Sequence, residues 1–264
     1  MKSVLDFAAA KAAGRKISMV TCYDSSLARV LEASQVDCIL VGDSAAMVMH
    51  GHADTLGATV ELMALHTAAV RRGAPTRFLI GDMPFLSFRK GVPVALDAVA
   101  ALMRAGAQAV KVEGVAGHED VITAVTGSGV PVMGHLGLTP QSVNALAGFR
   151  VQGRSEDDAA RILREAKLLE ELGCFSLVLE CVPSALASRI TRSLSIPTIG
   201  IGAGIDCDGQ VLVLQDLLGL SNGHRPKFLR TYLDGFGEVR DAVDRFDADV
   251  KKGAFPTAAE SYDA

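Results

Sequence analysis

Several short apolar runs in this sequence end in groups that can do chemistry. VGDS carries Asp43 and Ser44, IGDMP carries Asp82, KVEG carries Lys111 and Glu113, GHLGLTPQS carries His135, and LVLECVP carries Glu180. If these ends meet, four carboxylates converge, and their mutual repulsion calls for a cation or a shared proton. A hard divalent ion such as Mg2+ suits oxygen donors without cysteine, which makes Asp43, Asp82 and Glu113 the best candidate metal ligands. Any one of these acids could equally cap the helix that follows it, a common place for Asp in short βα loops. Three or four of them at successive strand ends weaken that bland reading. Lys111 and Glu113 stand two apart and so share one face of a strand. That placement favours Lys111 as an anchor for a substrate carboxylate over a purely structural pair. His135 reads two ways, as a hydrogen-bonded strand-end histidine or as a group in contact with ligand. His50 and His52, in the loop HGH, are weaker candidates at the same mouth.

The elements that must position these groups follow a regular rhythm. Short apolar, β-branched runs each lead through a glycine or polar cluster into a longer stretch of helical periodicity, the pattern of βα units. The predicted strands are Ile17–Asp24, Cys38–Ser44, Phe78–Pro84, Ala109–Gly114, Val130–Gly137, Phe175–Pro183 and Pro197–Gly204, with a weaker eighth at Gln210–Leu214. Their near-continuous apolar character suits parallel strands buried on both faces. Predicted helices cover Ser26–Ser34, Thr59–Arg72, Pro93–Ala105, Glu119–Thr126, Ser155–Leu172 and Ser184–Ser193, and a further helix is expected at the N-terminus. Ser155 followed by three acids reads as an N-cap with a complementary first turn, and Gly173 as its stop.

The fold class is therefore α/β, a single (β/α)8 TIM barrel over residues 1–264, with the chemistry at the C-terminal ends of the strands. An open doubly wound sheet has the same alternation and stays open on strand count alone. The tail from Asp241 to Ala264 is polar and is expected to fray. GIGAG, Gly200–Gly204, has the look of a backbone anion cradle after a late barrel strand, although close packing would also demand glycine there.

Composition narrows the partners. The 264 residues are 49% hydrophobic and 21% charged, with 26 Lys and Arg against 30 Asp and Glu. The formal charge of -4 offers no field to gather a phosphate backbone, so nucleic acid is not an expected partner. The five cysteines include no Cys-x-x-Cys pair, which fits a reducing compartment better than a disulfide framework or zinc site. No apolar stretch reaches the length of a membrane span and the N-terminus lacks a signal-like core, so a cytoplasmic protein acting on small molecules is expected.

With these residues placed, the chain resembles the ketopantoate (3-methyl-2-oxobutanoate) hydroxymethyltransferase family over nearly its whole length. The resemblance is carried by TCYDSSLA (Thr21–Ala28), LVGDS (Leu40–Ser44), HTAAVRRGAP (His66–Pro75), GDMPF (Gly81–Phe85) and MRAGAQAVKVEG (Met103–Gly114). It continues through PVMGHLGLTPQS (Pro131–Ser142), LVLECVP (Leu177–Pro183), IPTIGIGAG (Ile196–Gly204) and DGQVLVLQDLLGL (Asp208–Leu220). The resemblance implies Mg2+ held by Asp43, Asp82 and Glu113, substrate bound by Ser44 and Lys111 beside Asp43 and Asp82, and Glu180 as proton acceptor. It further implies 5,10-methylenetetrahydrofolate as co-substrate and a homo-oligomer, commonly a homodecamer. Gly57-Ala58 and FRKGVP (Phe88–Pro93) depart from the family pattern in mouth-side loops, where they bear on folate affinity and loop closure.

The implied reaction removes the C3 proton of a 2-oxo acid and adds the resulting enolate to a one-carbon unit. For Glu180 to take that proton, apolar neighbours such as Leu179 and Val182 are expected to surround it. Two rival readings are a lyase or mutase of the isocitrate lyase and phosphoenolpyruvate mutase type, whose KKCG lid motif is missing from this sequence, and a non-catalytic metabolite-binding barrel, which would have no need of Glu180.

Overall fold

The computed structural model describes residues 1–221 and 225–262. Eight parallel strands close on themselves in sequence order, β1 (Ile17–Thr21), β2 (Cys38–Val41), β3 (Phe78–Asp82), β4 (Ala109–Glu113), β5 (Val132–Gly137), β6 (Ser176–Glu180), β7 (Thr198–Ile201) and β8 (Gly209–Leu212). The ladder from β8 back to β1 runs Ile17 against Gly209 to Val20 against Leu212, which closes the barrel and excludes the open sheet. The helices are α1 (Val4–Ala12), α2 (Ser25–Ala33), α3 (Ala45–Val48), α4 (Val60–Gly73), α5 (Val92–Arg104), α6 (Glu119–Gly127), α7 (Glu156–Glu171), α8 (Ser184–Ser193), α9 (Leu214–Leu217) and α10 (Gly235–Lys252).

Local chemistry explains where these elements start and stop. Asp24, at the end of the first predicted strand, leaves the ladder to accept from the backbone N–H groups of Ser26 and Leu27 and so caps α2. Ser155 caps α7 through the N–H of Asp158, as its sequence context predicted, and Gly173 ends that helix at φ 88°.

The barrel interior is filled by alternate residues of the strands: Ile17, Met19, Cys38, Leu40, Phe78, Ile80, Ala109, Met133, Val178, Ile199 and Val211. Phe7 of α1 belongs to the same cluster and packs edge-on against Phe78 and Phe175, at ring-centroid distances of 5.3 and 5.1 Å. This apolar plug decides where the polar groups can stand. One step of the side-chain alternation beyond Ile80, Ala109, Met133 and Val178 come Asp82, Lys111, His135 and Glu180, all directed inward at the C-terminal mouth.

By contact density the chain forms two compact units, Met1–Val213 and Leu214–Ala264. The second corrects the expectation of a fraying tail. Within it α10 runs from Gly235 to Lys252, capped by Asp234 and closed by Gly253 in the left-handed conformation. Its first turn carries Glu238 and its last Lys251 and Lys252, which suits the helix dipole. Reading that stretch for polarity alone missed a regular apolar spacing, Phe236, Val239, Val243, Phe246 and Val250. Ala264, the end of the expected tail, lies outside the described residues.

Candidate active site

Strand register brings the predicted site residues together in adjacent pairs. Asp82 lies beside Lys111 in the β3–β4 ladder, and Glu113 beside His135 in the β4–β5 ladder. Asp43 follows β2 and donates its backbone N–H to Asp82 Oδ2 at 3.1 Å. The Lys111 ammonium sits 2.9 Å from Asp82 Oδ1 and 3.4 Å from Glu113 Oε1. His135 spans two acids, with Nδ1 3.2 Å from Glu113 Oε1 and Nε2 3.4 Å from Glu180 Oε2. Asp43, Asp82, Lys111, Glu113 and His135 are all buried, whereas the Glu180 side chain keeps 18% of its surface open.

The electrostatics of so much buried charge are uneven. Burial pushes the Asp43 carboxyl well above the usual carboxylate range, and the charges of Asp82 and Glu113 push it further. Burial also raises Asp82, with Lys111 opposing. For Glu113 burial works in the same direction but loses to Lys111 and His135, which hold it down at about 2. Burial would lower Lys111, yet Asp82, Glu113 and Asp43 outweigh it and keep the ammonium charged. Burial and Lys111 both depress His135, but its bonds to Glu113 and Glu180 prevail and lift it to about 9. The Lys111 ammonium also stands 3.3 Å from His135 Nδ1, so the ring is enclosed by Lys111 and the two acids. Within the His135–Glu180 pair, the carboxylate is the group that reaches the open side of the mouth.

Backbone geometry places Glu180. A Cβ on Gly137 would stand 2.2 Å from the Glu180 carbonyl oxygen, so only glycine lets the end of β5 pass this close, at φ 95°. Leu138 N–H then bonds that oxygen at 2.8 Å. Cys181, the next residue, holds φ 47°, a region costly for a side chain by about 1–3 kcal/mol. It is fixed there by its N–H on the Ile201 carbonyl and by Gln152 N–H on its own carbonyl, each at 2.9 Å. The expected apolar setting is only partly met. Leu179 is fully buried but, one residue before Glu180 on the strand, points to the opposite face, and the group recorded beside the carboxylate is His135.

Ser44 belongs to a second polar chain. Its hydroxyl lies 2.8 Å from the buried Tyr23 hydroxyl, which also donates to Thr21 Oγ1 at 2.8 Å. His66 Nδ1 is 2.6 Å from the Tyr23 carbonyl and its Nε2 2.9 Å from His50 Nε2. Because a carbonyl only accepts, Nδ1 of His66 carries a proton, and in its neutral form Nε2 accepts from His50. His50 is thus linked through His66 to Tyr23, while both His50 and His52 are exposed. The GIGAG run is explained by close approach: a Cβ on Gly200 would stand 2.9 Å from Cys207 Sγ, and one on Gly204 would stand 2.6 Å from Ser184 Cβ.

Sequence reasoning passed over one residue of the site. Gln141, buried in the single turn Pro140–Ser142 after β5, donates its backbone N–H to Glu113 Oε2 at 3.0 Å. Its side-chain Nε2 is 2.9 Å from Asp43 Oδ2 and 2.9 Å from the Met83 carbonyl. A neutral side chain in a turn has neither charge nor periodicity to mark it, and only its place in the quoted run TPQS pointed there.

Among the described residues no three acids or histidines are drawn close enough around one point to form a ready metal centre. The donor set nonetheless fits a hard cation. One oxygen of each carboxylate is anchored, by Gln141 in Asp43, by the Asp43 N–H in Asp82 and by the Gln141 N–H in Glu113. Asp82 Oδ1 is buried without a directed hydrogen bond although Lys111 is near. Such an oxygen suits a cation, and oxygen donors with no thiolate suit Mg2+.

Comparison with known proteins gives the context. The sequence profile described as ketopantoate hydroxymethyltransferase matches residues 2–258. A 3-methyl-2-oxobutanoate hydroxymethyltransferase of Bdellovibrio bacteriovorus is 57% identical over 262 residues, 99% of this chain and 100% of that protein. One from Coxiella burnetii is 57% identical over 95% of each chain, and one from Francisella tularensis subsp. novicida 49% identical over 100% of this chain and 99% of its own. Among solved structures, a phosphonopyruvate hydrolase in complex with oxalate and Mg++ aligns with TM-score 0.64 at 13% identity, covering 98% of this chain and 93% of that one. A 2,3-dimethylmalate lyase of the PEP mutase/isocitrate lyase superfamily aligns with TM-score 0.60 at 15% identity, covering 94% and 89%. These two likenesses speak to the barrel fold.

Proposed function

The chain belongs to the ketopantoate hydroxymethyltransferase family, and we propose that it transfers a hydroxymethyl group from 5,10-methylenetetrahydrofolate to 3-methyl-2-oxobutanoate, forming ketopantoate. The observation that carries this reading is the contrast within the mouth: a buried acid cluster held by Lys111, with the more open Glu180 beside it across His135.

The residues divide the work. Lys111 and the Ser44 hydroxyl bind and orient the oxo acid, the ammonium attracting its carboxylate. Glu180 takes the C3 proton as the C–H bond breaks, and the electron pair moves into the enolate. His135 stands behind the Glu180 carboxylate and positions it, leaving the more open carboxylate to receive the proton. The enolate carbon then bonds the methylene carbon of the folate, whose bonds to N5 and N10 both break. Water supplies the hydroxyl oxygen, the proton held by Glu180 and one from water return to the two nitrogens, and tetrahydrofolate and ketopantoate leave. Asp43, Asp82 and Glu113 would hold Mg2+, which when bound acts as a Lewis acid for charge developing on the keto oxygen.

No described helix is long and apolar enough to cross a membrane, in keeping with a cytoplasmic enzyme on small molecules. The working form is a homo-oligomer, a decamer if it follows its family. Supporting this is the exposed stripe of α10, whose 3- and 4-residue spacing is the kind that buries itself against a second copy. The test of function is incubation with 3-methyl-2-oxobutanoate, methylenetetrahydrofolate and Mg2+, with ketopantoate as the expected product. No product over a range of metals and pH would overturn the assignment.

A further inference from the structure

Gln141 contacts two of the three clustered acids, Asp43 and Glu113, and the backbone beside the third, and it belongs to none of the groups assigned to the reaction. Its Nε2 lies at hydrogen-bond distance from a carboxylate oxygen and from a carbonyl oxygen, both of which only accept. That fixes the amide orientation, since the alternative flip would set its oxygen against two others. Both protons of the amide are then used, one on Asp43 Oδ2 and one on the carbonyl of Met83, the neighbour of Asp82. The backbone N–H of the same residue takes Glu113 Oε2, and Pro140 just before it pins the turn that presents all three donors. One buried residue thus ties together the ends of β2, β3 and β4.

We propose that Gln141 is the positioning residue of the acid cluster, selecting which Asp43 oxygen faces the bound divalent cation and the oxo acid. With Oδ2 engaged by the amide, Oδ1 is the Asp43 oxygen that keeps both of its acceptor sites open to a ligand. Glu113 is held by the backbone N–H of the same residue, so one short turn fixes an oxygen of both acids. Without the amide, the Asp43 carboxylate is free to rotate, and the carboxylate arrangement a cation needs is populated less often. This inference rests on the divalent-metal reading of the site.

Gln141→Met keeps the length and volume of the side chain and the backbone donor to Glu113, and removes only the amide. Calorimetric titration of the substrate-free protein with Mg2+ should show affinity weakened about 10- to 100-fold relative to the parent, the range for losing a partner of a metal ligand. The metal concentration for half-maximal rate should rise by a similar factor, with kcat at saturating metal changed less. Parental affinity in a folded Gln141→Met would overturn the role of Gln141 while leaving the metal reading intact. No binding of Mg2+ by the parent would overturn both. Should the variant fail to fold, the parent itself decides in crystals soaked with Mn2+ and located by anomalous scattering. The Gln141 amide should stay bonded to the Asp43 oxygen turned away from the ion, and an amide detached from Asp43 would refute the proposal.

Discussion

At the barrel mouth Asp43, Asp82, Lys111, Glu113 and His135 are each no more than 4% exposed, whereas along α10 Phe236, Val239, Val243, Phe246 and Val250 are 44–59% exposed. The mouth buries what normally faces water, and α10 shows water what is normally buried. Each placement is unfavourable for an isolated chain, and each points to something that completes it. At the mouth the excess of carboxylates over cations is what the proposed metal would offset. On α10 the apolar stripe is what the proposed second copy would cover. The difference lies in what binds: the mouth needs charge of the right sign at fixed points, the helix needs only area and spacing.

The largest effect should come from breaking the mouth. Asp82→Ala removes the carboxylate oxygen that lacks a directed hydrogen bond, and turnover should fall by about 10³-fold or more, the scale of losing a principal electrostatic contact in a closed site. The fold should persist, because Asp82 ends a strand above the apolar plug and its removal relieves repulsion on Asp43. Steady-state kinetics with thermal melting would check this, and an active variant would remove Asp82 from the site.

A milder break is expected on α10. The double substitution Val243→Asp and Phe246→Asp places charge in the middle of the stripe. Light scattering should report a shift from a multiple of the chain mass toward 27.6 kDa. Melting of the barrel should change little, since exposed substitutions away from special features stay within about 0.5 kcal/mol. A parent that is monomeric would contradict the pairing of α10 with a second copy.

The smallest effect concerns the end of the barrel away from the chemistry. Glu170 accepts from the Ser195 N–H and hydroxyl, both at 2.6 Å, and from the Ile196 N–H at 3.1 Å. Burial would raise its carboxyl, but these bonds prevail and hold it below the ordinary carboxylate value. With the folded value depressed, the stabilisation is complete above the unfolded pKa of about 4.3 and is lost as pH falls through the folded one. Glu170→Gln should be less stable than the parent near neutrality by about 1 kcal/mol, after allowance for solvent screening, and the gap should close in acid. A gap independent of pH in urea unfolding would show that charge is not the cause.

How far the sequence disclosed these regions depends on which signal each one carries. The strands announced themselves through apolar runs, and the acids through their place at the ends of those runs, so Asp43, Asp82, Glu113 and Glu180 were legible before any coordinates. Lys111 was legible as a buried cation, but its 2.9 Å contact with Asp82 required the register of β3 and β4. His135 was ambiguous because only the parallel placement of β4, β5 and β6 sets it between Glu113 and Glu180. Gln141 has no charge and stands in a turn, where side-chain direction follows from tertiary structure. The α10 stripe carried a readable 3- and 4-residue spacing, masked by the acidic and basic residues between.

The central claim is that Glu180 takes the C3 proton at a mouth built to stabilise the resulting charge. Deuterium exchange at C3 of 3-methyl-2-oxobutanoate, followed by NMR in deuterated water with Mg2+ and without folate, isolates that step from carbon–carbon bond formation. The parent should exchange the proton, and Glu180→Gln should lose that exchange by a factor on the order of 10² to 10⁴ while still binding metal and substrate. Exchange at the parental rate in Glu180→Gln would show that another group takes the proton, and the account of the mouth would fail at its first step.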